Sequence, residues 1–251
     1  MIGVSSPVFS LVDFEMAMTF IDQHFDAWEV MGEGRHLLPR VEERFHEIAP
    51  SFDLEFSAHA PMSDVNIGSL NPDVREEAVD QVIEGMRASD RMGMRTYTFH
   101  PGFWSPMGML GKERVYEVMH ESIARIDEEA RDLAIGVALE NMPANPFTMC
   151  AKPGELDYFL EGTDLGVCFD IGHAHVSGTV DRFLERSPSF TNIHIHDNMG
   201  QGDEHLPVGE GAIDFSTVLQ ALDGYKGNLI IESKSLPEAL RGKENLQVMM
   251  G

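Results

Sequence analysis

Short apolar runs alternate along the whole chain with longer stretches in which apolar residues recur at helical spacing. The first run is Ile2–Phe9, and a helical segment follows from Asp13 to about Gln23. Phe25–Val30 and Phe52–Ala58 read as the second and third strands, with Leu38–Ile48 as the helix between them. Asn71-Pro72-Asp73 has the composition of a helix start, and that helix runs to about Ser89. Arg95–His100 is the fourth strand, and Lys112–Leu133 is a charged helix with Val115, Val118, Met119, Ile123 and Ile126 on one face. Strands at Ile135–Glu140, Leu165–Asp170, Phe190–His196 and Asn228–Glu232 are followed by helices from Pro153, Val180, Phe215 and Leu236. Eight β-then-α units in one chain predict an α/β fold, a single-domain (β/α)8 barrel over residues 1–251. A doubly wound open sheet is the alternative, disfavoured because no phosphate-binding glycine loop follows a strand.

Composition narrows the setting. No apolar run reaches the roughly 20 residues a membrane span needs, so no membrane contact is expected. The opening MIGVSSPVF has no basic segment before an apolar one, which predicts no signal peptide. Cys150 and Cys168 are too few for a disulfide framework and form no CxxC pair, so both are expected reduced, in a cytoplasmic protein. The net charge of −24 repels nucleic acid and anionic membranes at long range. Oligomerisation is left open.

The candidate chemistry sits where the strands end. SAHAP places His59 there, TFHPG His100, ALEN Glu140, CFDIGHAH Asp170 and His173, IHIHDN…GDEH His194, Asp203 and His205, and IIES Glu232. Imidazole and carboxylate together are the ligand set of zinc or manganese. A (β/α)8 barrel gathers the C-terminal ends of its strands at one mouth, so these groups are expected around one site. A buried carboxylate cluster repels itself, and cations remove that cost. Asp203 and His205, two apart, should face one side of an extended segment. His194 and His196 share a strand face, which leaves open which of them ligates; His196 is otherwise a substrate contact. His36 in the second βα loop and His175 after the sixth strand are further candidate substrate contacts, and Trp104 in HPGFWSP a candidate apolar wall. His24, His46 and His120 read as surface residues, and the 16 methionines as core filler.

FHPG at His100, CFDIGHAH at Asp170 and His173, and DEHLPVGEGAIDF from Asp203 resemble the xylose isomerase-like TIM-barrel superfamily, over nearly the whole chain. That superfamily includes sugar phosphate isomerases and epimerases, and the endonuclease IV family of apurinic endonucleases. The resemblance to endonuclease IV implies three zinc ions held by His59, His100, Glu140, Asp170, His173, His194, Asp203, His205 and Glu232. His194 is preferred to His196 because the family's ligand is followed three positions later by an acidic residue, here Asp197. The resemblance to the epimerases implies one divalent ion, typically manganese, on Glu140, Asp170, His194 and Glu232. There the two glutamates act as acid and base, and His173 contacts substrate.

Charge bears on the choice between these branches. Four carboxylates among the nine residues leave +2 with three divalent ions, which suits a phosphate, and −2 with one, which suits a neutral sugar. A nuclease also needs several cationic contacts to phosphates. The βα loops carry few: PMSDVNIGSLNP has none, the segment from Asn198 to Ile213 has none, and the others offer Arg35, Lys112 and Lys152. The expected function is therefore isomerisation or epimerisation of a sugar, sugar phosphate or related polyhydroxy compound, dependent on one to three zinc or manganese ions. Glu140 and Glu232 would move the proton through an enediolate. A zinc phosphoesterase of endonuclease IV type is the alternative, and a non-catalytic metabolite-binding barrel a third class.

Overall fold

A computed structural model describes residues 1–187 and 189–251. Eight strands are β1 (Ile2–Ser5), β2 (Ala27–Met31), β3 (Glu55–His59), β4 (Thr96–Phe99), β5 (Gly136–Glu140), β6 (Gly166–Asp170), β7 (Asn192–Ile195) and β8 (Leu229–Glu232). Each pairs in parallel with the next, and β8 returns to β1 through Ile2 opposite Leu229 and Ser5 opposite Glu232. The result is the closed (β/α)8 barrel that the pattern predicts. Its helices are α1 (Phe14–Asp22), α2 (Leu38–Ile48), α3 (Pro72–Arg91), α4 (Pro106–Leu110), α5 (Lys112–Ala130), α6 (Pro153–Leu160), α7 (Ile171–Val176), α8 (Val180–Leu184), α9 (Phe215–Ala221) and α10 (Leu236–Met250). Among the described residues no helix is long and apolar enough to cross a membrane.

Strand alternation divides the molecule into two kinds of interior. Outward positions such as Val30, Tyr97, Phe99, Leu139, Phe169 and Ile195 are apolar and meet the helices in one continuous core. Phe169 stacks on Phe183 and Phe190 at ring separations of 5.4 and 4.7 Å, and burying such a side chain stabilises by roughly 1.5–3 kcal/mol. α3 turns Val79, Val82, Ile83 and Met86 inward. It begins where Asn71 accepts from the Asp73 N–H, with Pro72 in the first turn. Most inward positions carry small or polar groups instead, among them Ser5, Glu29, Ser57, Thr98, Cys168 and Asn192, all buried.

The expected strands are trimmed rather than displaced. Ile2–Phe9 splits at Ser6, whose hydroxyl caps a short 3-10 turn over Pro7–Leu11. Phe52–Ala58 begins later, at Glu55, the residue with which pairing to β2 starts opposite Ala27. Two short helices went unrecognised, α4 and α7. α7 makes the DIGH segment helical, capped by the Asp170 carboxylate accepting from the His173 N–H.

Candidate metal centre

Parallel strands in a barrel are staggered, so successive strand ends rise around the mouth. Here Glu140 lies opposite Cys168, and Asp170 opposite His194. The stagger gathers ligand-type side chains into overlapping groups, whose ligand atoms all lie within 4.8 Å of one another. One group is His59, His100 and Glu140; a second is Glu140, Asp170, His194 and Glu232; a third is His173, His196, Asp203 and His205. Glu140 joins the first two: its Oε2 lies 3.2 Å from both His59 Nε2 and His100 Nε2, and its Oε1 3.3 Å from His194 Nδ1. Glu232 Oε1 closes on the same His194 nitrogen at 3.5 Å. In the third group Asp203 lies 3.4 Å from His173 Nε2, 3.4 Å from His196 Nε2 and 3.1 Å from His205 Nε2.

Several of these atoms are buried without a hydrogen-bond partner: Glu140 Oε1, Asp170 Oδ2, His194 Nδ1 and His196 Nε2. An unsatisfied buried polar group costs about 1–3 kcal/mol, yet here four of them converge. Cations would satisfy all four, so the donor set fits divalent metal. Imidazoles otherwise take the cation's part. Burial opposes the charged form of Glu140, but His194 and His100 outweigh it and hold the carboxyl well below its ordinary value. Burial likewise opposes a charged His173, and Asp170 and Asp203 push it well above the usual imidazole range. Asp203 is held low by His173 and His205 against its own burial. Cys168 also reaches Glu140 and His194, but burial pushes its thiol up, and a protonated thiol is a poor ligand.

Residues 18–249 match the model of the xylose isomerase-like TIM barrel family. The chain belongs to that family. A D-tagatose 3-epimerase-like protein of known structure superposes with a TM-score of 0.91 at 31% identity, over 100% of this chain and 97% of its own. An uncharacterised protein of Methanocaldococcus jannaschii is 34% identical over 98% of this chain and 87% of its own length. A probable endonuclease 4 of Aquifex aeolicus is 26% identical over 75% of this chain and 70% of its own. The xylose isomerase-like barrel thus has both epimerase and endonuclease neighbours, as its motifs imply.

Within this family barrel all nine expected ligands fall into the three groups. His194 and His196 both take part, but in different groups, because one lies on β7 and the other just beyond its end. Room for the His196 ring depends on Gly172, where a Cβ would lie 2.1 Å from the imidazole. Asp203 and His205 do meet, but not on an extended segment: His205 is left-handed, with φ 47°. Their loop is organised by Asp197, whose buried carboxylate accepts from the N–H groups of Asn198, Gly209, Gly211 and Ile213. Three of those four donors, Gly209, Gly211 and Ile213, lie in the GEGAI stretch of the DEHLPVGEGAIDF motif, which gives that motif its physical sense.

Other expected contacts lie elsewhere. His36 is fully buried, packs edge-on against Phe14 and Trp28, and bonds the Val12 carbonyl through Nε2 at 3.1 Å. Trp104 lies against Tyr116 with the Lys112 ammonium over its ring. His175 is tied to Asn198 Oδ1 at 2.7 Å. None of the three lines the cavity of about 310 Å³ that opens over His100, His173, Asp203, His205 and Glu232. Met31, Met62 and Met142 form its apolar wall, so these three methionines face the mouth and are not only core filler. Glu29 was missed altogether. It is fully buried on β2, 2.8 Å from His194 Nε2; the only local signal is a carboxylate flanked by apolar residues, in the Ala27–Met31 segment AWEVM.

Proposed function

We propose that this barrel is a divalent-metal-dependent isomerase or epimerase of a small polyhydroxy compound. One observation carries the reading: Glu140 and Glu232 converge on His194 Nδ1 at 3.3 and 3.5 Å, beside a cavity of about 310 Å³. That volume lies at the small end of the range for small-molecule sites, about 300–1,000 Å³. Lys234 is the one lysine or arginine in its lining among the described residues, whereas a duplex would need several such contacts. Glu140, Asp170, His194 and Glu232 would hold the ion. When bound, it supplies a Lewis acid that polarises adjacent carbonyl and hydroxyl oxygens. One glutamate then takes the carbon-bound proton as the electron pair moves into an enediolate; the other returns a proton to the opposite face or the neighbouring carbon. His173 at the cavity wall hydrogen-bonds the substrate, and the methionine wall excludes water.

A phosphoesterase reading is supported by the separate group around His173, His196, Asp203 and His205, which gives room for further cations. Metal analysis with two activity assays separates the two. Solvent deuterium entering a ketose, with one ion sufficing, supports the isomerase. Three zinc ions per chain with cleavage of an abasic-site oligonucleotide overturns it.

A further inference from the structure

The barrel interior holds a second polar layer beneath the candidate metal centre, and its key member is Glu29. Its Oε2 accepts from Asn192 Nδ2 at 2.6 Å and from the Ser57 hydroxyl at 3.3 Å, while its Oε1 faces His194 Nε2 at 2.8 Å. Asn192 also donates to the Thr98 hydroxyl at 2.9 Å. Its two amide protons are therefore both committed, to Glu29 and to Thr98. Asn192 has none left for His194, although Nδ2 lies 3.2 Å from the ring. Nε2 of His194 must then carry a proton and donate it to Glu29. That leaves Nδ1, the nitrogen facing Glu140 and Glu232, with a free lone pair.

We propose that Glu29 is the positioning residue of the metal site: it fixes the tautomer and the orientation of His194 so that Nδ1 is presented to the ion. This rests on the reading of His194 as a metal ligand. A carboxylate behind a ligating imidazole raises its basicity and locks its ring, and losing such a partner typically costs about 10–100-fold in metal affinity. Glu29→Gln is informative because both faces of the side chain meet donors. An amide has one oxygen, so its NH2 must confront either Asn192 or His194. Where it confronts His194, the ring proton moves to Nδ1, and the lone pair turns away from the site.

The test is zinc and manganese affinity by chelator competition for wild type and E29Q, with folding checked by circular dichroism. E29Q should lose about 10–100-fold in affinity at the group containing His194, and occupancy at His173, Asp203 and His205 should hold. Unchanged affinity in folded E29Q overturns the proposal. Should E29Q not fold, 15N spectra of histidine-labelled, zinc-loaded wild type decide: His194 bound through Nδ1 with a protonated, slowly exchanging Nε2 supports it, and binding through Nε2 overturns it. Wild type that takes up no divalent metal overturns the metal reading instead. Glu29 is then judged from the metal-free ring, whose Nε2 proton must exchange more slowly in wild type than in E29Q.

Discussion

Two polar layers lie one above the other inside the same barrel, and they are finished differently. In the lower layer Glu29, Ser57, Thr98 and Asn192 satisfy one another through hydrogen bonds of 2.6–3.3 Å. In the upper layer Glu140, Asp170, His194 and His196 each keep a buried atom with no partner. Burial is equal, so exposure to water does not explain the contrast. Side-chain inventory does: the lower layer mixes amide and hydroxyl donors with one carboxylate, whereas the four unpartnered atoms of the upper all belong to carboxylates and imidazoles. The first set can close on itself; the second closes only around cations. His194 joins them, one ring nitrogen in each layer.

The largest effect should come from Glu140→Gln, because Glu140 serves two upper groups and the proposed proton transfer. Turnover should fall by about 10²–10⁴-fold, with metal content reduced in elemental analysis; an active variant with full metal content would end its assigned role. Metal removal should act on the upper layer alone. Chelation should lower unfolding stability in denaturant titration by about 2.7 kcal/mol if the free ion had stood at a hundred times its dissociation constant, without loss of barrel circular dichroism. Asn192→Ala probes the lower layer. It removes the donor to Glu29 and Thr98 and should cost about 1–3 kcal/mol in urea unfolding, with metal still bound.

The smallest effect is a pH dependence at the rim. Glu33 accepts from the N–H groups of Met62 and Ser63, each at 2.5 Å, and from the Ser63 hydroxyl at 2.6 Å, fixing the turn that brings Met62 to the cavity. Burial works to raise its carboxyl, but the Ser63 and Met62 bonds prevail and hold it below its ordinary 4.5. Its contribution to stability is therefore present above 4.5 and fades as pH falls through the lower folded value. Urea midpoints measured downward from pH 5 should drop more steeply in wild type than in Glu33→Gln. Parallel slopes would show that the turn does not depend on this carboxylate.

The eight units and the strand-end positions of the ligand-type residues were legible in the chain because both follow from local patterns: period two in strands, 3.6 in helices, and a ligand-type residue at the close of six of the eight apolar runs. The sequence alone also determined that cationic grip on a phosphate backbone is sparse around the mouth. Only the tertiary structure decided how the residues divide into groups, since that depends on the stagger of eight strands, which no local pattern encodes. It separated His194 from His196, turned His36 and Trp104 into packing contacts, curved the Asp203–His205 segment around Asp197, and placed Glu29 against His194, 165 residues away in sequence. A side chain's partners across a closed barrel are fixed by strand register and tilt, quantities that exist only once the sheet has closed.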